Sequence, residues 1–287
     1  MNPTPGTLGN GSSGLRVGGV EQLQDAVTHQ GRLTASVILQ RQAIAAHAYP
    51  AMLCAGAVFG IIGATRWAEF HGIAAPRAFA AMLLLFLPSL VGARLLFVAF
   101  HWELYRHQPR LIWQRAGGGA ALYGGLIVSF LASLPLLRVL TLDPLAFWDA
   151  ASIALLIGMV FTRAGCLLHG CCAGRPSESF LAFRLPGARG VWRRRLPAQL
   201  FEAGLAVVVL LGSIQVAGRL RFDGALFLCA LAAYAAGRWL LEPTRETIDR
   251  AGRWSLNRSI SAALMALAAA VFLFLWVSRS GAAPANG

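Results

Sequence analysis

The chain has 287 residues, of which 57% are hydrophobic and only 13% are charged, and its mean hydropathy is +0.61. A soluble domain carries about 25% charged residues, and the apolar residues here form long blocks rather than amphipathic stripes. These blocks predict an all-α integral membrane protein, because a membrane β-barrel would show short segments of alternating polarity. The net charge is +13, but the arginines that supply it are spread through short loops. Membrane lipids with anionic headgroups are therefore the expected partner, and nucleic acid is not.

Apolar windows predict about seven transmembrane helices. In chain order the windows are 47–64, 79–100, 120–139, 146–168, 200–217, 224–241 and 258–277. Residues 1–46 lack a long apolar stretch and are predicted to form a mostly disordered tail without a cleaved signal peptide. The transmembrane domain is expected to span 47–278, and 279–287 would be a short C-terminal tail.

The segment Arg163–Arg175 closes the fourth window, yet it contains two arginines, three cysteines, a histidine and three glycines. A guanidinium at membrane depth costs about 2.5 kcal/mol or more unless it is paired or solvated. Arg94 and Arg238 also lie within or at the edge of apolar runs. Such arginines can form interhelical salt bridges or extend to the interface, but three with glycine neighbours favour a polar, arginine-lined cavity for a phospholipid phosphate.

Two acidic residues accompany these arginines. Glu242 follows Arg238 by four residues, which places both on one helical face and lets them pair. Glu202 opens the fifth window.

The cysteines allow several interpretations. The chain contains Cys54, Cys166, Cys171, Cys172 and Cys229. Cys166, Cys171 and Cys172, with His169, could ligate zinc or copper, but the spacing of these residues has neither a CxxC nor an HxxxH pattern. Thiol redox chemistry is a second possibility. The favoured interpretation is that they are small buried residues lining a glycine-rich turn, and no metal is predicted.

Six short motifs occur in order, each at its own span. They are His47-Ala-Tyr49, Gly92-Ala-Arg94-Leu95, the glycine-rich run from Gly117 to Leu126, the frame Arg163, Gly165, Gly170, Gly174 and Arg175, the segment Pro197-Ala-Gln199-Leu200-Phe201-Glu202, and the triplet Arg238, Glu242 and Arg245. Together they resemble the bacterial prolipoprotein diacylglyceryl transferase family, whose members have seven spans. The resemblance covers about residues 44–277.

The chain departs from this family at polar positions. Tyr123 and Leu196 stand where the family has histidines, Cys166 and His169 where it has asparagines, and Cys171 where it has a glutamate. A tyrosine hydroxyl, with a pKa near 10, is a poorer general base than histidine at neutral pH.

The resemblance implies an enzyme that moves the diacylglyceryl group of phosphatidylglycerol to the lipobox cysteine, in the signal-peptide region of a prolipoprotein. Neither cofactor nor metal is implied. The implied catalytic residues are Arg163, Arg238, Glu242, Tyr49 and Tyr123. The implied substrate-binding residues are Arg94, Gly165, Gly170, Gly174, Arg175, Glu202 and Arg245. Arginines would bind the phosphate, Glu242 would orient Arg238, the tyrosines would donate or relay protons, and the glycines would admit lipid.

The same resemblance implies a multi-pass protein of the bacterial inner membrane with its active site facing the periplasm. Most loop arginines lie on the N-terminal side of the seven windows, and the positive-inside rule would place that side in the cytoplasm. We follow the family orientation, because arginines that contact phospholipid have a functional reason to break the rule. Two alternatives on the same fold stay open: thiol-redox or metal handling through Cys166, Cys171 and Cys172, and phospholipid binding without catalysis.

Overall fold

The computed structural model describes residues 47–107, 109–112, 122–186, 192–246 and 256–280. Its helices are α1 His47–Phe70, α2 Ala75–Phe100, α3 Trp102–Tyr105, α4 Leu122–Val139, α5 Pro144–His169, α6 Ala198–Val216, α7 Ala225–Leu241 and α8 Leu256–Ser280. Six of these are long and apolar enough to cross a membrane, and α4 contains a shorter apolar helix. Large side chains such as Leu87, Val208 and Phe274 are more than 60% exposed, as expected of surfaces that face lipid.

The ends of α5 are fixed by local sequence. Asp143 caps its start by accepting a hydrogen bond from the Ala146 amide at 2.8 Å. Gly170 ends it in the left-handed conformation, with φ 76°, and its amide bonds back to the carbonyl of Leu167 at 3.1 Å. These two signals place Arg163 within the last two turns of the helix.

Close approach of α2 and α4 depends on glycine. A Cβ added to Gly92 would lie 2.5 Å from the carbonyl oxygen of Gly124, and one added to Gly125 would lie 2.9 Å from that of Ser89. Small residues allow membrane helices to approach this closely and gain van der Waals contact. The glycines that the motif analysis singled out on these two helices therefore hold the helices together.

Helices α5 to α8 pack in chain order, with α5 along α6, α6 along α7, and α7 along α8. A half-buried carboxylate joins α5 to the start of α7, because Asp149 accepts hydrogen bonds from the amides of Gly224 at 2.7 Å and Phe227 at 2.8 Å. This packing brings the last turns of α5 and α7 beside the first turns of α6.

A small hairpin occupies the connection between α5 and α6. Strand β1, Phe183–Pro186, pairs antiparallel with β2, Trp192–Arg195. Isolated bridges join Gly174 to Arg245 and Pro176 to Arg195, so the segment after α5 also contacts the segment after α7. The apolar windows gave no indication of these strands, because four-residue strands rich in arginine leave no hydropathy signal.

The predicted architecture of about seven transmembrane helices is confirmed, with differences at the helix ends. The first helix continues to Phe70 rather than 64, and the second begins at Ala75 rather than 79. The predicted tail at 1–46 lies outside the described residues, as do residues 281–287 of the predicted C-terminal tail, whereas Arg279 and Ser280 belong to α8. The proposed domain limits stay predictions.

Candidate active site

One buried carboxylate gathers three arginines. Glu202, on the first turns of α6, has a side chain that is 2% exposed. Its Oε2 lies 2.6 Å from Arg163 Nε of α5, while its Oε1 lies 2.6 Å from Arg245 Nη1 and also accepts a hydrogen bond from Arg238 Nη1 of α7. The ends of three helices and the segment that follows α7 therefore meet at this side chain, and we call these four residues the Glu202 cluster.

The predicted pair of Arg238 with Glu242 is present, with 3.8 Å between Arg238 Nη2 and Glu242 Oε2. Arg238 also has an acidic partner on α6 that the i,i+4 spacing did not predict. Glu202 is the closer partner. Glu242 is itself buried and accepts a hydrogen bond from Asn257 Nδ2 of α8 at 3.3 Å. A contact within one helix can be read from spacing, whereas this contact between α6 and α7 could not.

The charge balance of the site favours an anionic ligand. Three guanidinium groups face the carboxylates of Glu202 and Glu242, so positive charge is in excess. Each guanidinium also offers five N–H donors in a fixed fork, more than these two carboxylates can use. A phosphate oxygen would accept the remaining hydrogen bonds and neutralise the excess charge.

Two tyrosines border the cluster. Tyr49, near the start of α1, packs against the backbone of Gly165, and its ring centroid is 6.3 Å from that of His169. Tyr234 lies one turn before Arg238 on α7, and its buried hydroxyl interacts with the charge of Arg163. Sequence reasoning missed Tyr234, although its position four residues before Arg238 placed it on the same helical face.

Other predicted site residues lie elsewhere or outside the description. Arg94 Nε donates to the carbonyl of Ile112 at 2.8 Å, and its guanidinium lies over the rings of Phe97 and Tyr105. The Arg175 side chain is exposed. The side chain of Tyr123 is outside the described part of the molecule, so its role stays a prediction.

The three glycines of the α5 motif contact protein atoms. A Cβ on Gly165 would lie 2.9 Å from Met52 Cβ, one on Gly170 2.7 Å from Pro186 Cγ, and one on Gly174 2.5 Å from the Leu196 carbonyl oxygen. These contacts give each glycine a packing role. The expectation that the glycines also admit lipid stays a prediction.

Three thiols adjoin the Glu202 cluster, although their sequence spacing matches no common metal motif. The Sγ atoms of Cys166, Cys171 and Cys172 all lie within 4.8 Å of one another. Hydrogen bonds from the other two thiols, helped by the nearby charges of Arg245 and Arg163, lower the pKa of Cys172 below its ordinary value.

The long apolar helices, with arginines gathered around one buried carboxylate at their ends, place the chain in the class of multi-pass membrane proteins. Comparison with known proteins identifies the family: the family model described as prolipoprotein diacylglyceryl transferase matches residues 36–276, so the chain belongs to that transferase family.

Curated relatives agree with this assignment. A phosphatidylglycerol–prolipoprotein diacylglyceryl transferase of Dehalococcoides mccartyi is 29% identical over 192 residues, which are 66% of this chain and 73% of the relative. The protein of the same description from Streptococcus pyogenes serotype M1 is 28% identical over 213 residues, covering 70% of this chain and 80% of the relative. The predicted family and transferase class are thus confirmed.

Proposed function

We propose that this protein transfers the diacylglyceryl group of phosphatidylglycerol to the lipobox cysteine thiol of a prolipoprotein. The observation that carries the proposal is the buried carboxylate of Glu202 with its three arginines, at the ends of three apolar helices. The names of the relatives supply the lipid and the protein substrate.

The reaction forms one bond and breaks another. The sulfur of the acceptor cysteine attacks the glyceryl carbon that is bonded to the phosphate, so a C–S bond forms as the C–O bond breaks. The electron pair of the C–O bond goes to the phosphate oxygen, so glycerol phosphate leaves, and the thiol proton passes to that oxygen or to water. Charge therefore accumulates on the phosphate in the transition state.

The arginines are suited to that charge. Arg163, Arg238 and Arg245 would contact the phosphate oxygens and stabilise the leaving group through paired N–H donors. Glu202 and Glu242 would act as positioning residues, because both are buried and each contacts Arg238. A planar arginine fork held on two sides loses little conformational freedom when a phosphate binds.

The tyrosines would handle protons at the edge of the site. Tyr49 lies beside Gly165, two residues from Arg163, and in this proposal its hydroxyl would donate to the lipid or to the acceptor segment. Tyr123 would act in the same way from α4. A hydroxyl donor stabilises a phosphate oxygen without needing to be ionised.

We also propose that the protein is in the bacterial inner membrane, with the Glu202 cluster at the periplasmic face. The start of α1, the end of α5 and the start of α6 lie on one side of the bundle if each of the seven apolar helices crosses once. The C-terminus would then be cytoplasmic. A reporter fused after Gly287 should be active only as a cytoplasmic reporter, and activity restricted to a periplasmic reporter would contradict this orientation.

Complementation tests the activity. A strain depleted of its own transferase should regain lipoprotein processing when this chain is expressed, and should fail to do so with Arg163→Ala. Arg66→Ala is the matched control, because the ion pair of Arg66 with Glu69 is exposed and is worth about 0–1 kcal/mol. Absence of rescue by the wild-type chain, at normal membrane abundance, would overturn the proposal.

A further inference from the structure

The thiol cluster has the spacing of a metal-binding site. Ligands that share one ion at about 2.3 Å from each sulfur have sulfur atoms about 4 Å apart. Because the Sγ atoms of Cys166, Cys171 and Cys172 are all within 4.8 Å, closing on an ion requires shifts below about 1 Å. A disulfide would need two sulfurs at about 2.05 Å, which is a larger displacement and would leave the third thiol unused.

The backbone holds this arrangement in place. Cys171 donates its amide to the Cys166 carbonyl at 3.0 Å, and its own carbonyl accepts Gln199 Nε2 at 2.6 Å. Gln199 is 1% exposed, so this contact anchors the loop to α6. Cys172 has φ 60°, a left-handed conformation that non-glycine residues seldom adopt, so the backbone turns sharply at this residue. Three thiols are therefore preorganised before any ion binds.

The donor set selects the ion. Thiolates are soft ligands that prefer Cu(I), zinc or iron–sulfur clusters over hard cations. Among the described residues, no histidine, aspartate or glutamate belongs to this cluster. Structural zinc sites almost always have four protein ligands, whereas three sulfurs suffice for a soft monovalent cation.

We propose that Cys166, Cys171 and Cys172 form a three-thiolate site for a soft d10 cation, with Cu(I) as the preferred ion. The site adjoins the Glu202 cluster but shares no ligand with it, and it does not depend on the proposed transferase reaction. The proposal differs from the prediction made from the sequence, which was that these thiols line a glycine-rich turn and hold no metal.

Metal loading of the full chain tests the site. The protein is purified in detergent under reducing, oxygen-free conditions and titrated with Cu(I) in competition with a chromophoric Cu(I) chelator. We expect about one Cu(I) per chain, with a sulfur-only coordination shell by X-ray absorption. The variant Cys54→Ser/Cys229→Ser should bind equally, because both residues lie outside the cluster, whereas Cys166→Ser/Cys171→Ser/Cys172→Ser should lose the ion.

Protection of the wild-type chain from alkylation gives a second readout that does not require the triple variant to fold. Cys172 is exposed and follows the end of α5, so N-ethylmaleimide can label it. Bound Cu(I) should slow labelling of Cys172 at least roughly tenfold. Equal labelling of Cys172 with and without Cu(I) would overturn the proposal. A loss of Cu(I) binding in the Cys54→Ser/Cys229→Ser variant, or one Zn(II) bound in preference to Cu(I), would also overturn it.

Discussion

Replacing Glu202 with glutamine tests whether this carboxylate organises the site. Glutamine keeps the size and one oxygen acceptor but leaves Arg163, Arg238 and Arg245 without their shared negative partner. Removing one partner of a buried ion pair costs about 3–5 kcal/mol, because the remaining charge is buried without compensation. At about 2–4 °C per kcal/mol for a domain of this size, the midpoint of thermal unfolding should fall by roughly 10 °C.

The assay is thermal unfolding of the protein in lipid nanodiscs, with Glu69→Gln as the matched control. Glu69 makes an exposed pair with Arg66 at 3.1 Å, so its loss should change stability by less than about 1 kcal/mol. Equal midpoints for the two variants would refute the argument that Glu202 stabilises the convergence of α5, α6 and α7. Addition of phosphatidylglycerol should restore part of the lost stability if a phosphate can replace the missing charge.

Three further predictions concern packing, capping and ligand binding. Gly124→Ala should lower the free energy of unfolding by about 1–3 kcal/mol, because the added methyl group overpacks the contact between α2 and α4. The control Gly212→Ala has open space around its added methyl group and should leave the free energy of unfolding unchanged or raise it in the same assay. Asp149→Ala should cost about 1–2 kcal/mol and speed hydrogen exchange at Phe227, and unchanged exchange would contradict the capping role. Arg238→Lys should lower lipid transfer roughly tenfold or more, since an ammonium lacks the paired donors; activity within twofold of wild type would argue against it.

The sequence was informative about which residues carry charge at the helix ends. Arg163, Glu202, Arg238 and Arg245 were all identified from their place beside apolar runs and from the family motifs. The structure brings all four together. A charged side chain in an apolar run is conspicuous because it must find a partner.

Pairing between helices could not be derived in the same way. Spacing pointed to Glu242 as the partner of Arg238, but the packing of α6 against α7 makes Glu202 the closer one. The three thiols show the same limit. The spacing of their cysteines matches no common metal motif, and the left-handed backbone at Gly170 and Cys172 accompanies the turn in which the thiols come together. Local backbone reversals of this kind leave little trace in hydropathy or motif patterns.

The most direct test of the proposed function is transfer of a radiolabelled diacylglyceryl group from phosphatidylglycerol to a lipobox peptide by the purified protein. The wild-type chain should label the peptide and release glycerol phosphate in equal amount. Arg163→Ala should reduce both by roughly a hundredfold, the loss expected when a donor to a developing oxyanion is removed. Labelling by Arg163→Ala at the wild-type rate, or binding of lipid by the wild-type chain without release of glycerol phosphate, would contradict the account.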